Sequence, residues 1–217
     1  LAIEEVHPLI LVVCPKNAIS VWRTHLQEWF RKWAPQVRLA IRIMIGHRDS
    51  RQILWAKTRT ADVTVFIITY NAFVADFAWI QTNQKKCHLD FSYTISDESD
   101  RIRNRNSKAF TAFEYVSRHA KRTLMAIGTP MSKSPADFWT MLHICNRNLF
   151  GSFWRFADTF CDIEEHAYTH RKIILGPKNI VNFQRNLLMF ARVRTRSECA
   201  QWMPKIAREI RPVTLNA

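Results

Sequence analysis

Residues 93–108 read Tyr93-Thr-Ile-Ser-Asp-Glu-Ser-Asp-Arg-Ile-Arg-Asn-Arg-Asn-Ser-Lys108, and the fold is decided by what this stretch can form. A short β-prone run ends at Ser96. Three carboxylates follow directly, Asp97, Glu98 and Asp100, and then Arg101, Arg103 and Arg105. In an open α/β sheet, ligands sit outside the carboxyl ends of the strands, so carboxylates placed there are positioned to hold a hydrated Mg2+ and to orient a water. A nucleotide hydrolase needs that geometry. The plain alternative is a solvated acidic turn without a chemical role.

On either side of this stretch, strands and helices alternate. Residues 9–14 and 63–68 are continuous apolar runs, as expected for parallel strands buried on both faces. Residues 39–45 alternate apolar with polar and predict a half-exposed strand closed by Gly46, and 122–127 predict a further strand. Ile19, Trp22, Leu26, Trp29, Phe30 and Trp33 recur at helical spacing between a candidate N-cap, Asn17, and Pro35, and they read as a core stripe. Short helices are expected over 50–58, 72–80, 107–118 and 137–142, and over 179–190. Phe150, Phe153, Phe156 and Phe160 form a second aromatic stripe. The alternation predicts an α/β fold, a parallel sheet with helices on both faces.

The chain of 217 residues carries a formal charge of +14 and only 4 glycines, with 47% hydrophobic residues, enough for a real core. Such a basic balance points to a polyanionic partner, since clustered Lys and Arg displace condensed counterions from nucleic acid. The apolar runs fall far short of the roughly 20 residues that a spanning helix requires, and the N-terminus shows no basic n-region of a signal peptide. Cys14, Cys87, Cys145, Cys161 and Cys199 are widely spaced and odd in number, which suits a reducing, intracellular compartment. Cys161, His166 and His170 read either as a partial zinc site or as an ordinary thiol beside surface histidines; no Cys-x-x-Cys accompanies them.

The order strand, Asp97-Glu98-x-x, Arg101-Ile-Arg-Asn, x-x, Ser107-Lys108 resembles motif II of the Swi/Snf-type ATPases, DNA translocases of helicase superfamily two, whose pattern is close to Asp-Glu-Ala-His-Arg-Ile-Lys-Asn-x-x-Ser-Lys. Ser99 replaces the family's Ala and Asp100 its His. Cys14-Pro15-Lys16 before a Trp-bearing helix is similar to motif Ia, and Thr69-Tyr70 after a strand to motif Ib. The segment 122–131, with Gly128-Thr129-Pro130, is similar to motif III, although Ile127 stands where a Thr is common and Ser132-Lys133 where Gln-Asn is common. Arg194-Thr195-Arg196 and Met203-Pro204-Lys205 follow the order of later family segments.

The resemblance implies one RecA-like lobe of the P-loop NTPase type over 1–217. It would be a partial domain, cut at its N-terminus, with a helical or irregular extension over 162–217 leading toward a second lobe. It implies ATP and Mg2+ as cofactors and a DNA duplex, contacted through its backbone, as partner, with no role for a membrane. It implies catalytic roles for Asp97, which would hold Mg2+ through water, and Glu98, which would orient the attacking water. Asp100, Gly128, Thr129 and Pro130 would sense the nucleotide, and Lys16, Asn17, Thr69, Tyr70, Arg101, Arg103 and Arg194 would contact DNA. Thr69 could equally be a helix cap.

No Gly-x-Gly-Lys-Thr type loop is present, so the 217 residues alone are expected to turn over almost no ATP. Two alternatives stand beside this reading. One is a nucleic-acid-binding module of the same fold that has lost catalysis, motivated by Ser99, Asp100 and Ile127. The other is a metal-dependent nuclease using Asp90, Asp97, Glu98 and Asp100. An intracellular setting, cytoplasmic, nuclear or viral, follows from the cysteines and the family.

Overall fold

The computed structural model describes residues 7–58, 61–128, 134–194 and 198. The apolar run Leu9–Cys14 is strand β1, and all of its side chains are buried because its two faces enter two different cores. Leu9, Leu11 and Val13 pack on one side of the sheet, and Ile10, Val12 and Cys14 on the other. β3 (Val63–Thr69) is buried on both faces in the same way. β2 (Leu39–Met44) lies at one edge, and β4 (Tyr93–Ser96) and β5 (Arg122–Met125) complete the sheet. The order is β2-β3-β1-β4-β5, with every neighbour parallel, as the alternation of elements predicts.

Helix α1 (Ala18–Trp33) covers the Ile10–Val12 face, while α2 (Arg48–Trp55), α3 (Tyr70–Asn83) and α4 (Lys108–Arg118) cover the other. The α1 stripe is narrower than its spacing predicts. Ile19 and Phe30 are buried, yet Trp29 and Trp33 stay 47% and 65% exposed. Trp29 sits one residue, about 100°, round from Phe30, which turns its ring off the buried meridian. Asn17 stands at the N-cap position but has helical torsions and makes no side-chain cap.

After β5, a 3-10 turn (Pro135–Phe138) leads into α5 (Trp139–Cys145) and α6 (Phe153–Phe160). Phe150, Phe156 and Phe160 are buried, as expected of the second stripe. The polar stretch from 162 departs from the expected helical or irregular extension. β6 (Cys161–Glu165) and β7 (Lys172–Pro177) form an antiparallel hairpin with a bulge at Asp162/Ile163, followed by α7 (Ile180–Leu188). Ile163, Ile173 and Leu175 supply the β-branched and apolar alternation of a hairpin, but charged neighbours mask the pattern. Thr129, Pro130, Ser132, Lys133, Thr195, Arg196 and the Met203-Pro204-Lys205 segment lie outside the described residues.

One buried ion pair fixes α2 to α3. Gly46, at φ +86°, turns the chain out of β2, and its carbonyl accepts from Arg51 Nη1 at 2.6 Å. Arg51 also donates to both oxygens of Asp76, at 2.8 and 2.6 Å, and Trp55 Nε1 adds a third donor at 3.0 Å. Asp76 is fully buried, so removing its carboxylate leaves a buried guanidinium without its counter-charge. Asp76→Ala is therefore expected to destabilise the chain by about 3–5 kcal/mol in urea denaturation. A loss below about 1 kcal/mol, the range of an exposed pair, would contradict this.

Candidate functional site

The parallel register brings three strand ends level. Cys14 pairs with Thr69, and Val13 with Ser96, so the loops leaving β1, β3 and β4 meet at one edge of the sheet. They enclose a groove of about 900 Å3 lined by Cys14, Pro15, Lys16, Asn17, Thr69, Tyr70, Asn71, Arg101 and Ala109. Five residues singled out from sequence thus share one concavity: Lys16, Asn17, Thr69, Tyr70 and Arg101. Two helices begin at its wall. Ala18 N–H reaches only the Pro15 carbonyl, at 3.0 Å, and Thr69 Oγ1 caps α3 by accepting from Ala72 N–H at 3.3 Å. Thr69 is therefore a cap, and its hydroxyl keeps a proton to donate outward. Helix N-termini, a lysine and an arginine around one groove make it attractive to anions.

Behind the groove lies the acidic turn. The Asp97 amide donates to Val13 O at 2.9 Å and continues the sheet by one residue. Its carboxylate is held from two directions: Oδ2 accepts from the Trp22 indole N–H at 2.9 Å, and Oδ1 from the Glu98 amide at 3.0 Å. Glu98 follows in the left-handed region, φ 52° and ψ 58°, with its side chain exposed. That conformation costs a non-glycine residue roughly 1–2 kcal/mol. From it the chain turns into a 3-10 helix, Ser99–Ile102. Ser99 N–H donates to Ala126 O at 2.9 Å, tying the turn to the end of β5.

Tyr70 is only 8% exposed, and its hydroxyl points inward. It lies 2.7 Å from both the Asp97 carbonyl and Ser96 Oγ. Burial pushes the Tyr70 phenol above its ordinary pKa, and the charges of Asp97 and Asp100 add to the shift. The neighbouring Cys14 thiol is pushed up to about 12, mainly by burial and secondly by the Asp97 charge. The two oxygens of Asp97 each retain a lone pair beyond the bonds described. One carboxylate of this kind suits a hydrated Mg2+ shared with phosphate oxygens and does not make an all-protein cage.

Other expected residues fall elsewhere. Arg103 lines a separate hollow of about 360 Å3 with Arg105, Trp139 and Leu175, and Arg105 stacks on Phe153 at 4.2 Å. Arg194 is exposed beyond α7 and away from the groove lining. Gly128 is exposed, without positive φ, and a Cβ there would meet nothing within 4 Å, so sterics do not require a glycine. Among the described residues, no three His, Cys, Asp or Glu side chains converge for a metal, so the four-carboxylate nuclease site is not assembled and Cys161 fits the ordinary-thiol reading. The full length of β4 separates Asp90 from Asp97, and Cys161 is buried while His166 and His170 are exposed. No helix among the described residues is long and apolar enough to cross a membrane.

Residues 4–215 match the SNF2-related domain. The chain belongs to that family. The Chromatin-remodeling ATPase INO80 of Pyricularia oryzae is 27% identical over 172 residues, 75% of this chain and 8% of the relative. That of Eremothecium gossypii is 28% identical over 172 residues, 75% of this chain and 11% of the relative. The chain thus spans about a tenth or less of these relatives. Among solved structures, the Sulfolobus solfataricus SWI2/SNF2 ATPase core in complex with dsDNA superposes with a TM-score of 0.52 at 26% identity, covering 71% of this chain and 28% of that one. The parallel five-stranded sheet is accordingly the RecA-like lobe of an SNF2-type protein.

Against this family frame, sequence reasoning passed over two features. Trp22 packs against the core under α1, as its spacing predicts, and its indole N–H also binds Asp97; Asn71 lines the groove. A half-buried Trp needs an acceptor for its N–H, and that need was the available signal.

The Cys14 shift carries a pH prediction. Because the folded pKa lies above the unfolded value of 9.0, the contribution of the neutral thiol is complete below pH 9 and is lost as pH rises toward about 12. The stability difference between the wild type and Cys14→Ala, measured in urea, is expected to be constant from pH 7 to 8.5 and to shrink by pH 10.5. A difference that grows with pH would contradict the assignment.

Proposed function

We propose that this chain is the duplex-gripping and nucleotide-hydrolysing first lobe of a DNA-dependent ATPase that moves along duplex DNA. The observation that carries this reading is the groove, which gathers Lys16, Asn17, Thr69 and Arg101 and whose wall residue Tyr70 bonds the carbonyl of Asp97 in the acidic turn. Its chemistry recognises phosphates and carries no base-reading pattern, as expected of a protein that tracks a backbone. The dsDNA in the Sulfolobus solfataricus complex and the ATPase name of the INO80 relatives favour the same partner and the same reaction. An intracellular site of action, on chromatin, fits those relatives.

In this reading Asp97 is the Mg2+-binding carboxylate, fixed in orientation by Trp22 and by the Glu98 amide. Bound Mg2+ would neutralise the phosphate charge of ATP. Glu98 projects toward solvent from a left-handed turn and would hold the attacking water. Asp100 and the Gly128-Thr129-Pro130 segment would register the nucleotide. Arg103 and Arg194 would extend the basic track beyond the groove, while Tyr70 acts from within the wall. Since positioning and charge neutralisation supply nearly all phosphoryl-transfer catalysis, 217 residues without a Gly-rich Lys loop would hydrolyse ATP very slowly.

Duplex affinity of the chain should fall steeply with salt and depend little on sequence. Lys16→Ala and Arg101→Ala should each lower the slope of log K against log salt by about 1 and weaken all sequences alike. An unchanged slope in both variants, or a preference for one sequence that survives high salt, would overturn the assignment.

A further inference from the structure

The hydroxyls behind the groove form a directed chain. The Asp97 carbonyl is an acceptor only, so the Tyr70 hydroxyl, 2.7 Å away, must donate to it. Having used its proton, the Tyr70 oxygen accepts from Ser96 Oγ, also at 2.7 Å. Ser99 Oγ lies 2.9 Å from both Ser96 O and Ser96 Oγ, and these two acceptors share its one proton. The direction therefore runs from Ser96 through Tyr70 to the Asp97 carbonyl, and Ser99 braces Ser96 from behind. Ser96 and Ser99 are fully buried, where an unmade hydrogen bond carries its full desolvation cost, so the bonded arrangement is preferred over a broken one. Ser99 is one of the positions where this chain departs from the resembling motif, which carries Ala. The departure adds a hydroxyl that braces Ser96.

The two ends of this chain belong to different parts of the site. Tyr70 is the first residue of α3, and it adjoins Thr69 and Asn71 in the groove wall. The Asp97 carbonyl belongs to the turn that carries both candidate catalytic carboxylates, and Ser99 N–H binds the end of β5 at Ala126 O, 2.9 Å away. From the other side, α1 carries Trp22 to the Asp97 carboxylate, and the same helix follows directly on Lys16-Asn17. Both groove walls are thus tied to the acidic turn by short, part-buried hydrogen bonds.

We infer that Tyr70 is a positioning residue: through the bond from its hydroxyl to the Asp97 carbonyl, braced by Ser96, it transmits occupancy of the groove by a polyanion backbone to the turn holding Asp97 and Glu98. This inference rests on the groove being the duplex site. A path through space becomes a coupling only when both ends are shown to respond together.

The test follows amide hydrogen exchange of the full 217-residue chain by NMR, with and without a duplex at saturating concentration. Ala18 and Ala72 report the groove wall, and Ser99 and Ala126, which do not line the groove, report the turn. In the wild type, both pairs should slow, the second by about fivefold or more, the lower range of measured site-to-site couplings. In Tyr70→Phe, compared at equal saturation, Ala18 and Ala72 should still slow, while the response of Ser99 and Ala126 should fall below about twofold. Ser99→Ala keeps the Tyr70–Asp97 bond and should keep the response, which separates coupling from simple loss of packing. Slowing in the groove without slowing at Ser99 and Ala126 in the wild type, or an undiminished response in Tyr70→Phe, would overturn the inference and leave the duplex site standing. No slowing at Ala18 and Ala72 would overturn both.

Discussion

The register of the central parallel strands is the constraint on which everything else rests. Cys14 opposite Thr69 and Val13 opposite Ser96 bring three strand ends to one level, and a slip of one residue would exchange the two faces of each strand. Leu9, Leu11 and Val13 would then leave the core that contains Trp55, Phe66 and Phe113, and would enter the smaller core under α1. Both faces are buried, so the register is held by two cores at once. The groove is a consequence of that alignment. Its cations come from loops whose starting points the sheet has already fixed.

Much of this was legible in the sequence because the signals were long-range in effect but local in kind. Continuous apolar runs gave β1 and β3, and the Ser96–Asp97 boundary gave the end of β4 and the acidic turn. Ser107 and Thr69, residues with hydroxyls ahead of apolar periodicity, cap α4 and α3. What could not be read was what depends on the third dimension. Nothing local to Trp22 says that its indole will meet a carboxylate 75 residues away, and nothing local to Tyr70 says that its hydroxyl will turn from the groove toward Asp97. The hairpin Cys161–Pro177 was obscured because most of its residues are exposed and charged, which weakens the alternation by which a half-buried strand is recognised.

The acidic turn combines strain with restraint. Glu98 occupies a left-handed conformation, while its neighbours are tied to β1 through Val13, to α1 through Trp22, to α3 through Tyr70 and to β5 through Ala126. Strained residues persist where the surroundings over-determine them, and such places are often functional. Membership in the SNF2-related family gives this turn a chemical context. The substitutions at Ser99 and Asp100 give it a character of its own, since Ser99 adds a donor to a buried chain of hydroxyls and Asp100 adds charge beside Tyr70.

The most direct test of the central claim is to find where a duplex lies on the chain. A DNA duplex carrying photoreactive groups on its phosphates would be crosslinked to the protein at low salt, and the modified peptides mapped by mass spectrometry. The account predicts crosslinks in segments 14–17 and 69–71 and at Arg101. Crosslinks confined to the 161–177 hairpin or to the outer side of α1, with none in those segments, would contradict it.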